Sequence, residues 1–282
     1  MMKNAEEAKL NTPELDKTNT PEQKEKARKH IRSNYAKIAL GKTQTGCCAT
    51  GCGCSEPQGD ITDVSRQLGY QGSDLEAIPD GANMGLGCGN PFAIANLQQG
   101  DVVLDLGSGG GFDCFLASRQ VGEEGHVIGV DMTPEMVSKA RLNAEKIGNT
   151  NVEFRLGEIE NLPVADESVN VIISNCVVNM SMDKQRVFKE AHRVLKKGGK
   201  FAISDIVATA ELPAELKEDL RGLSGCYAGA EYVGVIEQML QTAGFTKVSL
   251  TPKDNSKEIL QSWQPGKQIE NYVASYYIEA VK

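Results

Sequence analysis

The run Val102-Val103-Leu104-Asp105-Leu106-Gly107-Ser108-Gly109-Gly110-Gly111 constrains this chain more than any other. A short apolar run carries a carboxylate near its end and passes straight into a glycine loop, the order of a strand turning at the edge of a parallel sheet. Glycines let the backbone turn tightly and come close to a ligand. A second apolar run, Val127-Ile128-Gly129-Val130-Asp131, again ends in an acid. At that place in a doubly wound sheet an acid binds a ribose through its two hydroxyls. Asp105, beside the glycines, would repel a pyrophosphate, which disfavours a dinucleotide; it suits a ligand with a cationic end.

The alternation of strands and helices continues. Residues 152–156, 169–174 and 200–204 read as the third, fourth and fifth strands. Thr133-Pro134-Glu135 starts a helix running to about Ile147. Asp183 caps a helix whose core face is Val187, Phe188, Ala191, Val194 and Leu195; Lys196-Lys197 suit its C-terminal dipole and Gly198-Gly199 are expected to end it. Beyond Asp205 the chain reads as helical to Ala243-Gly244-Phe245, followed by strands at 247–250 and 276–281. The expected fold class is α/β: a mostly parallel, seven-stranded sheet with helices on both faces.

Upstream, residues 1–19 are polar and without periodicity, as in a disordered tail. Thr20-Pro21-Glu22-Gln23 is a helix start with a capping box, and the helix should run to about Leu40 with Ile31, Tyr35, Ile38 and Ala39 on one face. Residues 41–60 form a Gly/Cys/Thr loop that cannot build a core; a short helix follows near Asp63. The expected organisation is an N-terminal tail, helix and cysteine loop over 1–60, a ligand-binding core over 61–208, and a C-terminal lobe over 209–282 that completes the sheet. A net charge of -8 argues against nucleic acid and against an anionic membrane surface. The polar start has no apolar central stretch, and no apolar run is long enough to cross a bilayer, so a soluble, cytoplasmic chain is expected, acting as a monomer.

Eight cysteines are unevenly spread: Cys47, Cys48, Cys52 and Cys54 crowd one loop, while Cys88, Cys114, Cys176 and Cys226 stand apart. In a reducing compartment such cysteines more often bind metals or act in catalysis than form structural disulfides. Cys176 follows the fourth strand, at the sheet edge where ligands of open α/β folds bind. Taken alone it fits a packed cysteine as well as a functional thiol. Cys88 and Cys226 have glycine neighbours and are expected on exposed loops that fold over that edge. Three soft thiolates suit a soft, three-coordinate centre. Zinc usually takes a fourth ligand and closely spaced pairs. Cys114, at the start of the first core helix, is expected to pack. Of the three histidines, none sits in a catalytic motif.

VLDLGSGGGFD, VIGVDMTPEMV, GEIENLPVADESVNVIISN and EAHRVLKKGGKFAISD resemble, in order and spacing, the successive motifs of class I S-adenosylmethionine methyltransferases over about residues 98–250. By that resemblance Asp105, Gly107, Ser108 and Gly109 hold the methionyl end and Asp131 the ribose. Met132 packs the adenine, Glu158 and Ile159 take its edge, and Asn175 lines the methyl-transfer pocket. Many members carry Asp where this chain has Glu158. Tyr35 either covers the cofactor or simply packs.

GLGCGNP, SNCVVNMS and GCYAGA resemble segments of arsenite methyltransferases. The resemblance implies that Cys88, Cys176 and Cys226 hold trivalent arsenic, whose lone pair attacks the sulfonium methyl without a proton to lose. Arsenite and methylarsenite would be the substrates, and mono-, di- and trimethylated arsenicals the products of a detoxification. It also implies that cysteine thiols return two electrons and that thioredoxin or glutathione restores them. Cys47, Cys48, Cys52 or Cys54 then supplies the redox partner thiol, with Cys47 and Cys48 the first candidates; the same loop can instead collect arsenic or bind a metal. A methyltransferase acting on carbon or oxygen leaves the three cysteines unexplained. A non-catalytic thiolate metalloid-binding protein conflicts with the intact cofactor motifs.

Overall fold

Parallel strands buried on both faces are continuous apolar runs, and they must find hydrogen-bonding neighbours on both edges. A computed structural model of the chain describes residues 20–42, 61–76, 78–217, 220–263 and 267–282. Four helices come first: α1 (Pro21–Ala39), α2 (Ile61–Leu68), α3 (Gly72–Glu76) and α4 (Phe92–Ala95). The alternating core follows as β1 (Val102–Leu106), α5 (Phe112–Val121), β2 (His126–Asp131), α6 (Pro134–Ile147), β3 (Val152–Leu156), β4 (Val169–Asn175), α7 (Lys184–Val194) and β5 (Leu195–Ala208). The remainder is α8 (Ala214–Lys217), α9 (Leu220–Ser224), α10 (Val233–Ala243), β6 (Thr246–Pro252), α11 (Ser256–Trp263) and β7 (Val273–Val281).

The seven strands form one sheet in the order β3-β2-β1-β4-β5-β7-β6. Strands β1 to β5 are parallel, and β7 runs antiparallel to both β5 and β6. The order reverses between β1 and β4, where the carboxyl ends of the strands leave a crevice. Successive residues of β1 serve opposite faces: Leu104 and Leu106 pack with α7 residues Val187 and Phe188, and Val103 packs with Phe115 of α5 and Ala140 of α6.

Two expectations meet a difference. α7 stops at Val194, and Leu195 is already extended (φ −67°, ψ 139°) and paired with Val169. Its side chain is fully buried, so sheet pairing and burial take it from the helix. Gly198-Gly199 therefore lie inside β5, with Gly198 at φ 79°, and do not end α7. β7 begins at Val273 rather than Tyr276, because β5 extends to Ala208 and pairs with it throughout. The capping box of α1 is present: the Gln23 amide donates to Thr20 Oγ1 at 3.3 Å and the Thr20 amide to Gln23 Oε1 at 2.7 Å. α1 buries Ala27, Ile31 and Ile38, packing on α6 and α9. Among the described residues no helix is long and apolar enough to cross a membrane.

Candidate active site

The crevice opens into a cavity at the carboxyl ends of β1, β2 and β4, roofed by Arg28, Ile31 and Tyr35 of α1. Gly107 has φ 73°, and a side chain there would collide with Val177. This is why the loop after β1 needs glycine. Asp105, Gly107, Ser108, Gly109, Asp131, Met132, Ile159 and Asn175 all line the cavity. Asp131 ties the loop down: Oδ2 accepts from the Gly109 amide at 3.0 Å and Oδ1 from the Thr133 amide at 2.8 Å. Burial raises its pKa, and those two amides oppose the shift.

Glu158 departs from its expected place. Its carboxylate does not line the cavity; it faces α1, with Arg28 Nε at 3.6 Å and Arg32 Nη2 at 3.3 Å. The guanidiniums of Arg28, at the cavity roof, and of Arg32 hold the acid there, and Ile159 and Glu160 line the wall in its stead. Tyr35 lines the cavity and also packs, its hydroxyl donating to the Ser224 carbonyl at 3.1 Å.

The floor is acidic. Asp105 and Asp113 are both buried, and among the described residues neither has a Lys or Arg partner. Burial pushes both carboxyls up, and Asp113 pushes Asp105 up further. The Cys114 thiol donates to Asp105 at 3.3 Å, and the Tyr70 hydroxyl to Asp113 at 2.7 Å. Ser108 Oγ is buried without a hydrogen-bond partner. Two carboxylates lacking counter-charge and an unsatisfied hydroxyl, beside a glycine loop, fit a ligand with a cationic end and polar atoms. S-adenosylmethionine, with its ammonium and sulfonium, has that character.

On the adjoining wall, Cys88 and Cys176 are joined by a disulfide, with Cα atoms 5.8 Å apart. Cys226 Sγ donates to the Cys176 carbonyl at 2.8 Å. The structure thus gathers all three predicted acceptor cysteines, and Cys176 and Cys226 line the cavity itself. The expectation that Cys88 and Cys226 are exposed is overturned: they are 0% and 4% accessible. The glycines beside Cys88 serve close packing instead. A side chain at Gly89 would collide with Ser204 and Lys253. Asn175 clamps the loop, its Oδ1 accepting from the Cys88 amide at 2.9 Å and its Nδ2 donating to the Gly89 carbonyl at 2.7 Å. The Cys88 carbonyl accepts from Ser275 Oγ at 2.8 Å and Lys253 Nζ at 3.3 Å. Cys176 and Cys226 are both left-handed, at φ 59° and 66°. Such backbone costs about 1–2 kcal/mol per non-glycine residue and concentrates at functional sites.

Cys114 packs at the cavity floor, apart from the trio. None of the three histidines lines the cavity. The expected redox partners Cys47, Cys48, Cys52 and Cys54 lie outside the described residues.

Four residues with a place at the site escape the sequence reading: Asp113, Asp205, Tyr70 and Lys253. Asp113 sits just past the glycine loop, which was the available signal; Asp205 lies inside β5, between Ser204 and Ile206. Tyr70 and Lys253 come from segments remote in sequence and carry no local mark. Burial pushes Asp205 up to about 6 and Lys253 down to about 8.

Comparison with known proteins agrees with the fold. The family described as a methyltransferase domain matches residues 97–262. An arsenite methyltransferase of Halobacterium salinarum is 51% identical over 263 residues, 92% of this chain and 67% of that protein. One from Aquipseudomonas alcaligenes is 44% identical over 167 residues, 57% of this chain and 48% of that protein. The crystal structure of an arsenic(III) S-adenosylmethionine methyltransferase from Chlamydomonas reinhardtii superimposes with a TM-score of 0.58 at 33% identity, over 77% of this chain and 72% of that one. This chain therefore spans two thirds of the Halobacterium relative and about half of the Aquipseudomonas one.

Proposed function

Because the chain belongs to the arsenite methyltransferase family, we propose that it transfers methyl groups from S-adenosylmethionine to trivalent arsenic held by Cys88, Cys176 and Cys226. The observation that carries this reading is the meeting of three cysteines, two of them on the wall of a cavity whose floor holds two carboxylates without counter-charge. Bound S-adenosylmethionine supplies an electrophilic methyl group. Asp105, with Asp113 behind it, attracts the ammonium end; Asp131 takes the ribose hydroxyls; Met132 and Ile159 offer apolar surface to the base. A roof of Ile31 and Tyr35 excludes water.

The acceptor side needs thiols. A thiol reductant, thioredoxin or glutathione, opens the Cys88–Cys176 disulfide, and arsenite then exchanges its hydroxides for sulfur ligands. Arsenic bound to sulfur keeps a lone pair and loses no proton when it attacks, which suits a site without an imidazole base. Alignment is then the main task of the protein, and Asn175 and the two left-handed cysteines set it. Methylation raises arsenic to the pentavalent state; two thiolates return two electrons and close a disulfide. In this reading arsenite and methylarsenite are substrates, mono- and dimethylated arsenicals are products, and the chain works as a cytoplasmic monomer.

The test is incubation of purified protein with arsenite, S-adenosylmethionine and a thiol reductant, with products separated by chromatography and detected by arsenic. Methylated arsenic should form and should vanish in Cys176→Ser and Cys226→Ser. Absence of product from a protein that binds the cofactor would overturn the reading in favour of a carbon or oxygen acceptor.

A further inference from the structure

Asp205 stands beside the acceptor sulfurs but has no part in the methyl transfer described above. One of its oxygens and the Sγ atoms of Cys88 and Cys176 all lie within 4.8 Å of one another, and the three residues are buried. Asp205 is held in place by two backbone amides: Oδ1 accepts from the Ile206 amide at 2.8 Å and Oδ2 from the Asn179 amide at 3.3 Å. An ionised carboxylate has about four acceptor sites, so these bonds orient it and leave capacity for a ligand. Cys226 is turned elsewhere, toward the Cys176 carbonyl.

We infer that, when the disulfide is reduced, Cys88, Cys176 and Asp205 form a binding site for a thiophilic divalent cation such as cadmium or zinc, and that this cation and arsenite exclude one another. Two sulfurs and one oxygen, completed by water, make the mixed four-coordinate set that such ions take. Trivalent arsenic favours three sulfurs and so draws on Cys226 instead; the shared cysteines are thus flanked by two different third ligands. Charge supports the assignment. Two thiolates and a carboxylate outweigh a divalent ion by one negative charge. Lys253 lies nearby, buried, with its ammonium on the Cys88 and Leu68 carbonyls at 3.3 and 3.4 Å and over the Tyr277 ring, and it has no carboxylate partner among the described residues. Cys176 lines the cavity and gives the ion a way in.

The chemistry balances. A trialkylphosphine reductant attacks the disulfide and ends as its oxide with an oxygen from water, and the two sulfurs leave as thiols. The cation then displaces two thiol protons and binds two thiolates and the carboxylate.

The inference needs the reduced cysteines and does not depend on arsenic being methylated. The test uses the full chain with Cys47, Cys48, Cys52 and Cys54 changed to Ser, reduced with a phosphine without oxygen and titrated with cadmium. Ultraviolet sulfur-to-cadmium charge transfer reports binding and counts thiolates per ion. One equivalent should bind through two thiolates. Cys88→Ser and Cys176→Ser should each abolish that signature. Asp205→Asn should weaken binding by about tenfold or more, Asp205→Glu should retain it, and Cys226→Ser should leave the affinity unchanged. Arsenite added first should block cadmium. No binding, three thiolates per ion, or loss of affinity in Cys226→Ser would overturn the inference. If Asp205→Asn fails to fold, the thiolate count and the Cys226→Ser titration decide. Cadmium binding as described in a protein that does not methylate arsenite would sink the proposed function and leave this site standing.

Discussion

In the proposed reading, Asp105 trades stability for a ligand. Buried beside Asp113 without a cation, it is an electrostatic cost in the ligand-free protein. A hydrogen bond to a charged group contributes about 1.5–3 kcal/mol, or roughly 10- to 100-fold in affinity. Asp105→Asn should therefore weaken S-adenosylmethionine binding by that factor, yet raise the melting temperature of the ligand-free protein. Calorimetric titration and thermal denaturation measure the two; unchanged affinity would remove Asp105 from the site. Tyr70 acts at one remove. Its hydroxyl donates to Asp113 and accepts from Asn175 Nδ2 at 3.1 Å, and Asn175 clamps Cys88. Tyr70→Phe breaks this chain at a cost of about 1 kcal/mol. It should lower kcat about fivefold with little change in KM for the cofactor; a change in KM alone would reduce Tyr70 to a packing role. Asp105 and Asp131 were legible because each stands at the carboxyl end of an apolar run beside its turn. Tyr70 was not, because nothing near it in sequence says which carboxylate it meets. The buried state of Cys88 and Cys226 was hidden for another reason. Glycine neighbours permit exposure and close approach equally, and for Cys88 only the partners Ser204 and Lys253 show which applies.

Among the elements, α1 was read nearly in full and α7 was overrun. α1 has a capping box, a proline in its first turn and an apolar stripe, so local and tertiary signals agree. At the end of α7, Lys196-Lys197-Gly198-Gly199 mimic a helix terminus, but the pairing of Leu195 with Val169 wins. α1 also carries the link between fold and site, since it roofs the cavity and is moored by Arg28 and Arg32 to Glu158. These ion pairs are partly exposed, and each contributes only about 0–1 kcal/mol. Glu158→Gln should therefore loosen the roof modestly, raising KM for S-adenosylmethionine about three- to tenfold at low salt. The difference from wild type should shrink toward nothing near 1 M salt, where screening acts over only about 3 Å. A defect independent of salt would mean that Glu158 touches the cofactor itself.

For the whole molecule, the buried acids set how stability answers to pH. Burial raises Asp205 and Asp113 to about 6, above the roughly 3.9 of an unfolded aspartate. The folded chain then holds protons that the unfolded chain releases, so the share of stability due to these two acids falls as pH rises from about 4 to about 6, and Asp105, which burial also raises, adds to the fall. Glu153 and Glu190 act in the opposite sense: Arg155 and Arg193 lower their pKa values, so their contribution is present above the usual carboxylate range and is lost as pH falls through the folded values. The ligand-free protein should therefore be most stable in mildly acid solution, with a melting temperature that declines between about pH 4.5 and about pH 6.5. S-adenosylmethionine brings positive charge to Asp105 and Asp113 and should flatten that decline without removing the share due to Asp205, which lies on the acceptor wall. Melting curves across this window, with and without saturating cofactor, separate the two walls of the site. A ligand-free melting temperature that rises through the window would mean that the buried acids are paired with cations after all, and the reason for a cationic cofactor on this floor would go with them.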